Sequence, residues 1–382
     1  MLEAGVGELV REGLATGRLR FVVGSAAAVA GAEVVFLCLP TPALDDGTVD
    51  TTTVEAVLGD VRSNLEPHTI LAVRSTVPIG WTRRMEQQLF KSCAALVCNP
   101  EFLREGSAVY DSLHPERVVV GGSDHTAVLK VAKLIAGLSC CPLVITDPES
   151  AEIIKLASNA FLATKLSFVN LVADLCDSLG GDVGDVLLGM GHDPRIGSEY
   201  LSPGPGWGGS CLPKDVRALV SAGEQTAVNV ELIKAAIAAN ADHVSAIVDR
   251  VRLAVGGKLR DARIAVWGLT FKAGTDDRRG SPAMEIVSRL ISEGSRVQAY
   301  DPTVSHELPE LGQHARIAAS AYAACDGAQA VLLLTEWDEF RAIDFSKIQD
   351  LLTAPTILDT RNLLDRVALR NLGFTYFGIG RR

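Results

Sequence analysis

The 382-residue chain has no C-x-x-C pair, and no histidine stands at ligand spacing beside its eight cysteines, Cys38, Cys93, Cys98, Cys140, Cys141, Cys176, Cys211 and Cys325. That scatter excludes a disulfide scaffold and a structural zinc site, and it fits a reducing cytoplasm. The seven histidines show no paired-ligand spacing, so no metal is expected. An excess of positive charge is also missing. With 36 Lys+Arg against 46 Asp+Glu, the net charge of −10 leaves no phosphate-tracking surface and excludes general nucleic-acid binding. A nucleotide ligand remains compatible, because a few focused cations and backbone N–H groups can hold a diphosphate inside an acidic protein. The opening residues, MLEAGVGELVREGL, carry acids and arginine among leucines, so neither a signal peptide nor a membrane span is expected there. Finally, the N-terminal region has no G-x-G-x-x-G turn between strand and helix: Gly5-Val6-Gly7 runs on into Glu8 and Leu9 and follows no strand.

What the chain does have is alternation. Apolar runs at Val34 to Leu39, Ile70 to Arg74, Ala95 to Cys98, Val118 to Val120 and Leu143 to Thr146 are separated by helical patterns, which is the signature of α/β layering. Leu19 to Val23 is a candidate strand ahead of them. From Ser150 the pattern turns helical, and Val228 to Val255 sets Ile233, Ile237, Val244, Ile247, Val248 and Val251 in one stripe of a long helix. After Gly256-Gly257 a second α/β unit begins, with strands at Ile264 to Trp267, Val297 to Tyr300, Ala330 to Leu334 and Thr356 to Asp359, and a helix over Ala283 to Ser292. Its first turn, Gly268-Leu269-Thr270-Phe271-Lys272, is not a dinucleotide cradle, and a lysine there suits a nucleotide diphosphate better. A chain that is 48% hydrophobic and 21% charged, with 35 glycines, can bury two or three cores. The expected architecture is α/β: two Rossmann-like parallel-sheet domains, residues 1–148 and 257–382, joined by a helical segment, 149–256, with a long central helix.

The stretch Gly204 to Asp215, GPGWGGSCLPKD, places Cys211 in a glycine-crowded loop ahead of a helix start. Glycines let backbone approach a ligand closely, and a helix N-terminus with Lys214 nearby favours a thiolate, so Cys211 is the best nucleophile candidate. Local physics alone leaves a buried structural cysteine as an equal reading. Six further stretches bear on the choice: Leu39-Pro40-Thr41-Pro42, Ser75-Thr76-Val77-Pro78, NPEFLREG from Asn99 to Gly106, KLASNAF from Lys155 to Phe161, GLTFK from Gly268 to Lys272, and Asp359-Thr360-Arg361. In this order, with the cysteine loop, they resemble the UDP-glucose/GDP-mannose dehydrogenase family across almost the whole chain. Judged by where the matches begin, the chain lacks the family's first βαβ unit with its glycine fingerprint. If Leu19 to Val23 and Val34 to Leu39 are the family's third and fourth strands, one loses its partner and the other becomes an open sheet edge.

The resemblance implies an NAD-dependent, four-electron oxidation of a nucleotide-sugar primary alcohol, with UDP-glucose the default substrate and GDP-mannose or a UDP-N-acetylhexosamine as neighbours. It assigns Cys211 as the thioester-forming nucleophile, Asp215 and Lys155 to the first deprotonation with Thr76 holding a water, and Glu101 as general base for thioester hydrolysis. Lys155 and Asn159, four apart, share one helix face and could both reach sugar oxygens. Pro40, Thr41, Ser75, Thr76, Glu105 and Arg279 fall to NAD. Glu101, Lys155, Asn159, Arg195, Tyr200, Gly208, Lys272 and Arg361 fall to the UDP-sugar, with Arg195 reaching the substrate of a neighbouring subunit. Lys272, Arg279 and Arg361 are the cations for a diphosphate. Each has a plainer alternative: Lys214 and Asp215 as a surface pair, Glu101 and Glu105 as carboxylates four apart on a helix, Thr76 as the end of a strand, Arg195 in a local turn, Arg279 and Arg361 in structural ion pairs. The long helix reads as a core helix or as the helix around which family members dimerise. A different class also remains, a nucleotide-sugar-binding partner that does not hold NAD.

Overall fold

The computed structural model describes residues 3–89, 95–137 and 141–381; Cys93 and Cys140 lie outside the described residues. The chain forms two compact units, Leu2–Ala160 with Lys214–Val230, and Phe161–Pro213 with Glu231–Arg382. The helical segment expected at 149–256 is thereby divided between them.

The first unit orders its elements as α1 (Val6–Ala15), α2 (Ser25–Val29), β1 (Val34–Leu37), α3 (Thr52–Val61), β2 (Ile70–Val73), α4 (Trp81–Leu89), β3 (Ala95–Cys98), α5 (Ala108–Leu113), β4 (Val118–Gly122), α6 (His125–Ala136) and β5 (Leu143–Thr146). The five strands lie in the order β1-β2-β3-β4-β5. Successive side chains of a strand point to opposite faces, so Leu71 and Val73 pack with Leu37, Leu58 and Trp81 on one side, while Ile70 and Ala72 pack with Val97, Val118 and Val131 on the other. The sheet is not wholly parallel as expected: β4 runs antiparallel to β3 through Val97 opposite Gly122 and Cys98 opposite Gly121, and β5 is parallel to β4.

Leu19 to Val23 is not a strand. Among the described residues no neighbour pairs with it, Phe21 is 73% exposed and Val23 99%, and an apolar run becomes a strand only where its backbone groups find a ladder. Among the described residues β1 pairs with β2 alone, the open edge expected of the following run.

The 32-residue α7 (Pro148–Leu179) leads from the first unit into the second, which continues with α8 (Val183–Gly191), the start of α9 (Leu212–Gln225) and α10 (Glu231–Ala254). By length and composition α7 alone, among the described helices, is apolar enough to cross a membrane. Its inner positions Val169 and Ala173 instead pack in the core with Val244, Ile247, Val248 and Val251 of α10, the C-terminal half of the stripe read from the sequence.

The second unit's sheet follows: β6 (Arg263–Trp267), α11 (Pro282–Ser292), β7 (Arg296–Tyr300), β8 (Ala315–Ile317), α12 (Ala321–Cys325), β9 (Ala330–Leu333), α13 (Phe345–Leu351), β10 (Thr356–Asp359), α14 (Arg366–Asn371) and β11 (Thr375–Gly378). Its spatial order is β11-β10-β9-β6-β7-β8, every pair parallel. Counted from β6 this is 3-2-1-4-5-6, the doubly wound order of dinucleotide-binding sheets. The acid that would meet a ribose at the end of the second strand is Asp301, fully buried. Its Oδ2 accepts from the Leu269 and Thr270 N–H groups at 2.8 and 3.2 Å and from the Trp337 indole at 3.2 Å, while Oδ1 accepts from Thr303 N and Oγ1 at 2.9 and 2.7 Å. The acid fastens the turn after β6 rather than facing outward.

Candidate functional site

In the second unit, Cys211 immediately precedes α9 and is exposed, as the loop reading requires of a nucleophile. Burial pushes the Cys98 thiol well up and that of Cys325 up to about 12, so those two are inert by comparison. Gly204 to Gly209 happens to match G-x-G-x-x-G letter for letter, but it follows no strand and serves the cysteine loop. A Cβ on Gly208 would stand 2.0 Å from the Gly280 carbonyl, and Gly209, at φ 88°, donates its N–H to that carbonyl at 3.3 Å. The close packing there is of loop on loop, which only glycine allows.

The rest of the loop is held by side chains of α7 and α10. Asn170 Oδ1 accepts from Gly204 N at 3.0 Å, Asn240 accepts from Trp207 N at 2.9 Å and donates to Trp207 O at 3.0 Å, and the Trp207 indole donates to Ser167 at 2.8 Å. His243 bridges Gly204 O and Asp174. None of these was singled out in the sequence, because amides and a histidine on a helix carry no motif.

Of the cations assigned to the diphosphate, Arg361 is mostly buried after β10. It donates from Nε to Leu334 O at 2.9 Å and from Nη2 to Phe271 O at 2.8 Å, and pairs with Glu336 at 3.0 Å. Lys272 sits with Nζ 5.9 Å from the Phe271 ring centroid. Arg279 forks onto Asp277 with its Nη2 at 2.7 Å, and Arg195 onto Asp193 at 2.6 Å, the local ion-pair and turn geometries of the plainer readings. Tyr200 adopts a left-handed φ of 59°. Gly208, Lys272, Arg279 and Arg361 thus belong to one unit with Cys211, and Arg195 and Tyr200 to the same unit.

In the first unit, one face of α7 gathers the charged residues. Lys155 is 5% exposed and donates to the Glu101 carbonyl at 2.7 Å and its carboxylate at 3.0 Å. One turn on, Asn159 donates to Asp215 Oδ2 at 2.6 Å, and Lys214 donates to Oδ1 at 2.7 Å, so the fully buried Asp215 is held at both oxygens. Three residues before Lys155, Glu152 accepts the Thr82 N–H at 2.9 Å at the head of α4, and burial holds its carboxyl above the usual range. Its spacing from Lys155 was the signal available in the sequence.

Glu101 and Glu105 do not share a helix. Glu101 takes the Leu103 N–H at 2.6 Å and Asp111 takes the Arg104 N–H at 2.8 Å, so side chains consume the donors a helix would need, and α5 starts only at Ala108. Leu39-Pro40-Thr41 and Ser75-Thr76 follow the carboxyl ends of β1 and β2, where parallel sheets bind nucleotides. Thr41 is buried and Pro40 exposed, whereas the Ser75 hydroxyl is spent on Leu39 N and O at 2.8 and 2.7 Å, bracing this turn. Ser75 supports the segment assigned to NAD.

A sheet in the doubly wound order and a second α/β unit place the chain among α/β proteins of the nucleotide-binding type. Fold alone names no substrate. Comparison with known proteins narrows the class: residues 1–138, 149–242 and 265–366 match the NAD binding domain, central domain and UDP binding domain of the UDP-glucose/GDP-mannose dehydrogenase family. The chain is 40% identical over 390 residues to the UDP-glucose 6-dehydrogenase of Rhizobium meliloti, covering 100% of this chain and 89% of that one. It is 39% identical to the UDP-glucose 6-dehydrogenase of Pseudomonas aeruginosa, over 99% and 87% of the two chains. A solved UDP-glucose dehydrogenase from Pyrobaculum islandicum superposes with a TM-score of 0.88 at 31% identity, covering 100% of this chain and 87% of that one. The chain belongs to the UDP-glucose/GDP-mannose dehydrogenase family, and as such it is an NAD-dependent oxidoreductase of nucleotide sugars.

Proposed function

We propose that the chain oxidises UDP-glucose to UDP-glucuronate, consuming two NAD and one water and releasing two NADH. The observation that carries this reading is the polar pairing on α7: Lys155 with Glu101, and Asn159 with Asp215, all in register with motifs of a family whose C-terminal part binds UDP. NAD, when bound, accepts one hydride from the sugar's reacting carbon in each of two rounds. The turns after β1 and β2, with Pro40, Thr41, Thr76 and the brace of Ser75, fit its nicotinamide half; the glycine turn that would cradle its pyrophosphate is not among the described strand ends. Glu105 is assigned to the same half and Arg279 to its phosphates.

Asp215 and Lys155 take the hydroxyl proton, directly or through a water held by Thr76. Cys211 Sγ then bonds to the aldehyde carbon while its proton passes to the aldehyde oxygen. After the second hydride and the hydroxyl proton have left, the carbon is a thioester. Glu101 draws a proton from water, whose oxygen displaces the sulfur, giving the carboxylate and the free thiol. Lys155 and Asn159 stabilise the oxyanions on the way. Lys272 and Arg361 meet the diphosphate, Gly208 and Tyr200 line the sugar's approach, and Arg195 reaches a neighbouring subunit's substrate.

A homodimer or higher oligomer is part of the proposal, as is a reducing cytoplasm that keeps Cys211 a thiol. The oligomer is supported by Phe161, Phe168, Leu171 and Leu175, which form an exposed apolar stripe on α7.

Counting NADH released per UDP-glucose by the purified chain tests the reaction. Two per sugar, abolished by Cys211→Ala, is the expected result. UDP-glucose binding with no NADH would instead favour a nucleotide-sugar-binding partner, and turnover of GDP-mannose or a UDP-N-acetylhexosamine in preference would reassign the substrate.

A further inference from the structure

We propose that His243 is the positioning residue of the cysteine loop, a buried ring clamped between Asp174 and the Gly204 carbonyl that sets where the loop presents Cys211. The inference rests on the reading of Cys211 as the nucleophile. His243 lies on α10 and is 4% exposed. Its Nδ1 is 3.1 Å from Asp174 Oδ2 and its Nε2 is 2.9 Å from Gly204 O. A backbone carbonyl only accepts, and Asp174, which also accepts from the Arg250 guanidinium at 2.7 Å, faces the ring as an acceptor too. Each ring nitrogen therefore faces an oxygen, and the ring is fixed from both sides.

The charged groups around the ring come from every element packed there: Asp174 and Asp177 from α7, and Arg250 from α10, whose Nη1 reaches Asp177 at 2.6 Å. Arg361 lies against Gly204, where its Nη1 would stand 3.0 Å from an added Cβ. Gly204 is thus fixed at its N–H by Asn170 and at its C=O by His243, and one turn before His243 on the same helix Asn240 fixes Trp207 at both backbone groups. His243 and Asn240 thus hold the loop at two points from one helix, and the hold of His243 is in turn fixed by Asp174.

Two variants of the full-length protein test this. His243→Asn, which leaves no donor in reach of Gly204, lowers kcat by about tenfold to a hundredfold with a smaller change in KM for UDP-glucose. His243→Gln, whose amide reaches where Nε2 stood, recovers most of kcat. A His243→Asn variant with wild-type kcat, or a His243→Gln variant with no more kcat than His243→Asn, overturns the proposal. A Cys211→Ala variant that still oxidises UDP-glucose removes the nucleophile reading beneath it, and so the two failures are distinguishable.

Discussion

Lys155 gives its ammonium to the backbone and side chain of Glu101, and a methionine there would keep the stem while removing every donor. Lys155→Met is expected to lower kcat/KM for UDP-glucose by about a hundredfold or more, measured by initial-rate NADH formation. Gly208→Ala would push a methyl into the Gly280 carbonyl, and loss of stability of roughly 1–3 kcal/mol is expected in urea unfolding. Hydrogen bonds from the Arg104 side chain hold the Asp111 carboxyl below the usual carboxylate range. A depressed folded pKa contributes stability above the unfolded value, about 3.9, and loses it as pH falls through the folded one. Arg104→Met should therefore reduce stability at neutral pH more than at low pH, which paired unfolding curves on either side of that window would show. Cys211 stood out in the sequence by its glycine-rich loop, and Lys155, Asn159 and Asp215 by motifs that resemble the family's; the structure pairs Asn159 with Asp215 and Lys155 with Glu101. Asn170, Asn240 and His243 were not legible there, since their partners are backbone groups of a loop far along the chain. Ser75 was legible in its motif, yet its hydroxyl turns inward to brace the β1 turn.

Among the elements, α6 begins on Asp124, whose carboxylate accepts the Thr126 and Ala127 N–H groups at 2.8 and 3.3 Å. Asp124→Ala should cost about 1 kcal/mol, read as a lower urea midpoint with an unchanged slope. Runs of Val, Ile and Leu marked nine strands to within a residue or two at each end, because buried parallel strands leave continuous apolar segments. β8 and β11 escaped notice: Ala315-Arg316-Ile317 and Thr375–Gly378 are short and carry no run of Val, Ile and Leu, and edge positions let them be so. The helix read over Glu101 and Glu105 fails for the converse reason. The four-residue spacing was present, but the carboxylates of Glu101 and Asp111 take the Leu103 and Arg104 N–H groups.

At the scale of the whole molecule, the exposed stripe on α7 is where association should be broken. Phe168→Glu with Leu175→Glu is expected to shift the mass measured by light scattering to that of a monomer, while leaving the helix intact. The alternation of strand and helix announced the α/β class, but the reversed direction of β4 was not visible, since an apolar run reads the same either way. Asp301 bears on where the oxidant can sit. With its oxygens already engaged by Leu269, Thr270, Thr303 and Trp337, the sheet that has a dinucleotide unit's strand order keeps no free carboxylate at the end of its second strand to meet a ribose. In the proposed reaction two NAD are reduced in turn by one sugar, and a covalent bond to Cys211 would moor the half-oxidised sugar between the two rounds.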